Sequence, residues 1–301
     1  MGEKDISEKL LEDYADVFAD IINVLVFQGE RLLEPGNLVD GPTVSRYKSA
    51  EAKPKEQIRD VVKFDQQRTK MVLFGLKNQT VVDPHMVFRV MGYDFSSYKR
   101  QMDEGRSRIS PVITLVLHFG MKRWSGPKDI LSAIDQDLPY RKYLETAVMN
   151  PKLQVVDVAF LPKEVREQFT SDFGIAAEYF SAVREGRMEE IRFNSQKIRH
   201  IEEMLDFFQV FGKDKRFEEY KPVILEEARK GDVTMCVVMD YAEKRGREQG
   251  LELGREEGEL KAKKEVALSL MQMGMPAEKI AEAVKVDVKV IQEWLEGKET
   301  L

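Results

Sequence analysis

The sequence has one cysteine, Cys236, and only three histidines among 301 residues. A lone thiol excludes an internal disulfide and a zinc cluster, and it suits a reduced, cytoplasmic setting. Long apolar runs are missing as well. None approaches the roughly 18–20 residues that a membrane span needs, and the longest candidates, such as PVITLVLHF at 111–119, have the length of a strand. The start, MGEKDISEKLLEDY, is charged and acidic, unlike a signal peptide. No Walker or dinucleotide-binding glycine pattern occurs. An excess of basic charge is absent too. The net charge of -6 argues against a protein coated in nucleic acid, but a local basic cleft is compatible with it, because phosphate binding depends on where Lys and Arg cluster. What remains is a soluble, intracellular, globular chain, long enough for one large domain with an appendage or for two modest ones.

Residues 7–29 read as a helix, because Leu10, Leu11, Tyr14, Val17, Phe18, Ile21, Ile22 and Leu25 recur at spacings of three and four. A connection containing Pro, Gly and Ser follows over 34–54. Two strand-like stretches come next, at 57–64 and 70–77. The second contains MVLFGL, a nearly continuous apolar run that predicts a strand covered on both faces. A helical pattern then runs from Pro84 to about Met102, with Met86, Val90, Tyr93, Tyr98 and Met102 as candidate buried positions. Further strands are expected at 111–119 and 153–161. From 162 the chain turns helical, with one stripe of Phe169, Phe173, Ala176, Phe180 and Val183 and another of Ile201, Met204, Leu205 and Phe208. This alternation predicts an α/β fold with a small central sheet.

The tail differs in kind. Gly246, Gly250, Gly254 and Gly258 recur every four residues within a dense charge run, along one slowly drifting face of a helix. Each glycine inside a helix costs about 1 kcal/mol against alanine. Either the face meets another helix closely, as in a homo-oligomer, or the stretch is a solvated connector. Residues 275–295 then predict two short helices. Pro276 suits a first helical position and Asp287 a cap, and Ile280, Ala283, Val284, Val288, Ile291, Trp294 and Leu295 supply the apolar faces. A packing hairpin is the better reading than a DNA-reading helix-turn-helix, since Glu293 and Glu296 offset Lys289 and Lys298. The expected organisation is a core domain over 1–232, a charged glycine-spaced connector over 233–268 and a helical hairpin over 269–301.

One constellation could carry chemistry: Asp60 in IRDVVKF, followed by GLKNQT at 75–80. Metal-dependent cleavage of a phosphodiester needs hard oxygen ligands for Mg2+ and a polar or cationic group to orient water or hold phosphate. Two adjacent strands can supply an Asp from one and an alternating pair from the next. Here the pair is Lys77 and Gln79. Other polar residues carry less. His118 reads as a hydrogen-bonded core or surface histidine, His85 and His200 have no partners at metal-ligand spacing, and Cys236 reads as a buried small residue. Tyr93, Asp94, Lys99 and Arg100 could equally line a DNA cleft or be a packed ring among solvated charges.

The segments FADIIN (18–23), RDVVK (59–63), GLKNQTVVDPHMVFRVMGYDFSSYKRQ (75–101), SPVITLVLHFGMKRWSGP (110–127) and TMCVVMDYAEKRGREQG (234–250), with the glycine-spaced tail, resemble the recombination-promoting nuclease/putative transposase family. The similarity runs in order over nearly the whole chain. The resemblance implies a PD-(D/E)XK nuclease-type core with a small mixed sheet flanked by helices. It also implies Mg2+-dependent DNA endonuclease activity and a bacterial role tied to recombination or mobile elements. Carried over by position, Asp60 matches the metal-binding Asp, and Gln79 matches the Gln that stands where related nucleases have Lys. Asp20 matches a recurrent acidic position that could be an auxiliary metal ligand.

Position 77 departs from that pattern, which usually has Glu there. An ammonium at about 4 Å from a charge repels a like charge by roughly 4 kcal/mol at an effective dielectric of 20, and a divalent ion by about twice that. Three outcomes are open: an inactive relative that still binds DNA, with Lys77 on phosphate; a stand-in ligand from Asp20, Asp65 or Asp83; or a Lys77 that swings out to solvent.

Overall fold

The computed structural model describes residues 11–41, 44–48, 54–58, 60–65, 72–137, 140–212 and 216–295. It divides into two compact units, Met1–Asp240 and Tyr241–Leu301.

In the first unit, a helical turn at 11–13 bends at Tyr14 into α1 (Ala15–Leu25). Val17, Phe18, Ile21 and Ile22 are buried, as their spacing requires, but Tyr14 is 37% exposed. Its hydroxyl donates to Glu203 Oε1 at 2.7 Å and its ring stacks on His200. A phenol that keeps its polar end wet sits at the rim of a stripe, not inside it.

The central sheet has five strands, β1 (Leu38–Asp40), β4 (Val61–Asp65), β5 (Val72–Gln79), β6 (Val112–His118) and β7 (Gln154–Asp157), in the order β1-β4-β5-β6-β7. The β1–β4 and β4–β5 pairs are antiparallel, and β5–β6–β7 run parallel. A separate antiparallel ribbon pairs β2 (Val44–Lys48) with β3 (Pro54–Ile58). The single strand expected over 57–64 is therefore two strands in different sheets, with Asp60 in the bend between them. Pro54 opens β3, a position where a missing backbone donor is tolerated.

Leu73 to Asn78 of β5 are all buried, so both faces of that strand are covered as expected. The parallel step from β5 to β6 needs a crossover, and α2 (Met86–Asp103) provides it. Met86, Val87, Val90 and Tyr93 pack with Val116, Trp124, Ile130 and Leu153. Met102 is 52% exposed, contrary to its place in the expected stripe. The Tyr98 hydroxyl already accepts from Val112 N, at the first residue of β6. The last turn of α2 thus runs past the strand that it covers.

Two short helices, α3 (Ile130–Ala133) and α4 (Arg141–Leu144), precede β7. The strand expected over 153–161 stops at Asp157 and continues as a 3-10 turn at Val158–Phe160, whose Val158 and Ala159 are buried. Helices α5 (Lys163–Arg166), α6 (Asp172–Glu185), α7 (Met188–Ile191), α8 (Ile201–Gly212) and α9 (Arg216–Ala228) follow. Phe119, Tyr179, Phe180, Phe207, Phe208 and Phe217 form a connected aromatic cluster among them. Each such pair adds about 0.5–1.5 kcal/mol beyond its buried area. Gly186, at φ 69°, closes α6 in the left-handed conformation that glycine adopts without strain.

Helix α10 (Met235–Gln272) runs unbroken for 38 residues and carries the four spaced glycines. A Cβ added at any of them would meet nothing within 4 Å. In the second unit, α11 (Ala277–Val284) and α12 (Val288–Leu295) pack Ile280, Ala281, Val284, Ile291 and Trp294 against Ala267. This is the packing hairpin that the sequence predicts. Among the described residues no helix is long and apolar enough to cross a membrane.

Candidate active site

The register of the central sheet assembles the site. Val61 pairs with Leu76, and Asp60 N donates to Leu76 O, so Asp60 arrives beside Lys77 at the head of β4. Both side chains are buried. Lys77 Nζ lies 2.7 Å from Asp60 Oδ1, and Asn78 N donates to Asp60 Oδ2 at 2.6 Å. These are charge-assisted hydrogen bonds in a water-poor place, the stronger kind. Of the three outcomes open for Lys77, the swing to solvent is the one this geometry overturns. The ammonium is 5% exposed because a carboxylate waits for it inside the sheet.

Strand alternation points Lys77 and Gln79 to one face of β5 and Asn78 to the other. Asn78 Nδ2 donates to Glu12 Oε2 at 2.7 Å. Glu12 is fully buried, and both Glu12 Oε1 and Asn78 Oδ1 lack a hydrogen-bond partner. Burial pushes the Glu12 carboxyl well above the usual carboxylate range. The Asn78 hydrogen bond opposes that shift, Asp60 adds to it, and Lys77 opposes it. Glu12 and Asn78 are the residues that sequence reasoning missed. Glu12 follows Leu11 within an acidic stretch whose other carboxylates look the same, and Asn78 sits between the two positions that strand alternation selected.

Gln79 is half-buried, with its strand partner His118 across β6. His118 Nδ1 and Asp157 Oδ1 are 2.8 Å apart, and Asp157 also accepts from Trp124 N at 2.7 Å. His118 is therefore a hydrogen-bonded core histidine that ties the loop after β6 to β7. Gly120 lies close against its ring, where a Cβ would come within 2.5 Å of Nε2.

Asp20 is buried and engaged by other groups. It accepts from Arg31, from the backbone N–H of Thr170 and Ser171 at 2.8 Å each, and from Thr170 Oγ1 at 3.4 Å. It fastens α1 to the start of α6 and lines a cavity of about 360 Å3 with Asp16, Arg31, Thr170 and Arg199. Asp65 ends β4, five residues from Asp60, a strand distance of roughly 17 Å. Asp83 holds Arg89 at 2.7 Å and His85 N at 2.8 Å. Burial raises its pKa, but those hydrogen bonds outweigh the burial and lower it on balance. Cys236 is exposed, not buried.

Among the described residues no three His, Cys, Asp or Glu side chains form a metal-binding group. The residues around Asp60 do not fit a divalent cation. Its two oxygens are engaged by an ammonium and an amide N–H, and the ammonium repels any second cation there.

The fold is thus an α/β unit built on a five-stranded mixed sheet, with a buried acid–lysine pair at its centre and a helical C-terminus. A family model described as "Putative transposase, YhgA-like" matches residues 54–209. That match covers more than half of the chain, and the chain belongs to this family. Comparison with curated proteins and with solved structures gave no match.

Proposed function

We propose that this chain is a DNA-binding member of the putative transposase family, with a PD-(D/E)XK nuclease-type core whose Mg2+-dependent cleavage is impaired. The observation that carries this reading is the buried Lys77–Asp60 contact of 2.7 Å. In the resemblance described above, Asp60 is a metal ligand and position 77 a second carboxylate. Here the second carboxylate is replaced by a cation that engages the first. Binding DNA needs no metal, because phosphate contacts rest on Lys, Arg and backbone N–H groups. The proposed setting is the cytoplasm, with DNA as partner and a second copy of the chain meeting the C-terminal helices.

The competing reading is an active Mg2+-dependent DNA endonuclease, with Asp60 as ligand, Gln79 orienting water or phosphate, and Asp20 assisting. A plasmid-nicking assay with and without Mg2+, run beside a gel-shift measurement, separates the two. The expected outcome is a DNA shift without nicking for the wild type and Mg2+-dependent nicking for Lys77→Glu. Nicking by the wild type that Asp60→Ala abolishes would overturn the proposal.

A further inference from the structure

We infer that the Lys77 ammonium is the resident cation of this site, and that removing it opens a divalent-cation site made by Asp60, Glu12 and the Asn78 side-chain carbonyl. This rests on the reading that cleavage is impaired and gives it a physical cause. Three observations support it. Lys77 Nζ sits on Asp60 Oδ1 at 2.7 Å with both side chains enclosed. Asp60 Oδ2 is held by the backbone of Asn78, and Asn78 in turn holds Glu12. Two oxygens of that group, Glu12 Oε1 and Asn78 Oδ1, are buried and lack a hydrogen-bond partner.

Buried oxygens without partners are uncommon in folded proteins and point to a missing donor, water or cation. Oxygen from carboxylate and amide carbonyl is the donor set that hard divalent ions take. With lysine in place, the positive charge is covalently tethered and the chain folds without metal. With alanine in place, the ammonium and most of its stem are gone. Asp60 is then a buried anion beside a second carboxyl group and an amide oxygen, a setting in which a free divalent ion replaces the lost charge.

Thermal unfolding of the full-length chain with and without Mg2+ or Mn2+ tests this. The wild type should show no change in Tm with either ion. Lys77→Ala should melt about 10 °C lower and recover about 5 °C at saturating ion. The recovery should be absent in Lys77→Ala/Asp60→Asn and need at least tenfold more ion in Lys77→Ala/Glu12→Gln. An unresponsive, folded Lys77→Ala would overturn the inference.

Should Lys77→Ala fail to fold, calorimetric titration of the wild type with Mn2+ decides. No binding at Asp60 is expected, and binding that Asp60→Asn removes would overturn the inference. The underlying functional reading fails separately. Nicking by the wild type without added metal would sink impaired cleavage and leave the tethered cation standing. Asp60-dependent ion binding by the wild type would sink the tethered cation whether or not DNA is cut.

Discussion

Lys63 and Lys77 occupy neighbouring strands of one sheet and are equally hidden, at 3% and 5% exposure. Their partners differ. Lys63 reaches outward, its ammonium 2.5 Å from Asp40 and 3.5 Å from Asp13, whose side chains are 78% and 50% exposed. Its stem runs over the Phe18 ring. Lys77 reaches inward to Asp60, whose side chain is 6% exposed. A lysine that buries its stem and meets acids at the surface is an ordinary amphipathic side chain. A lysine enclosed with its acid has lost its water on both sides, and its charge is compensated only within the sheet. The same residue type on the same sheet thus serves as a rim contact in one strand and as the internal charge of a candidate site in the next.

The largest effect should come from breaking the enclosed pair. Asp60→Ala leaves a buried ammonium without its carboxylate and should cost about 3–5 kcal/mol in urea unfolding. Lys77→Met/Asp60→Leu, which removes both charges and keeps apolar volume, should recover most of that loss. If Asp60→Ala costs under about 1 kcal/mol, the enclosure has no energetic content and the contrast with Lys63 collapses.

A smaller effect, with a defined pH dependence, should come from Glu12 on the opposite face of β5. Its folded pKa lies above the model value of 4.5, chiefly through burial. Between those two values the folded state holds more protons than the unfolded chain. Stability is therefore fully present below the unfolded value and declines as pH rises toward the folded one. Glu12→Gln cannot ionise, so it should be more stable than the wild type near pH 8, on the order of 1 kcal/mol or about 2–4 °C in Tm. Near pH 4 the difference should vanish. A gain that persists unchanged at about pH 4 would mean that the carboxyl is not titrating against burial.

The element pattern was legible because periodicity reports burial. The covered strand β5, the crossover helix α2 and the stripes of α6 and α8 follow from spacing alone. The break at Asp60 was not legible. An alternating run over 57–64 looks like one strand, whether its halves pair with one sheet or with two. Asp60 and Lys77 could be singled out together, but sequence alone left three orientations for the lysine. Burial and register chose among them. Glu12 was invisible for a different reason. Its partner, Asn78, points away from the face on which the alternating pair was read, so the second layer of the site lies behind the strand.

The smallest effect should be found at the rim. Asp13→Asn removes the longer of the two contacts to Lys63, with an acceptor that is half exposed. Water stabilises both partners when they separate, so the expected change is below about 0.5 kcal/mol. It should also fade in about 1 M salt, where charges are screened beyond roughly 3 Å. The Asp60–Lys77 coupling, measured by a double-mutant cycle under the same conditions, should keep most of its value, because ions do not enter the sheet. Equal salt sensitivity in the two cycles would show that the site at Lys77 is as open to solvent as the rim at Lys63, and the lysine could then no longer serve as an enclosed counter-ion.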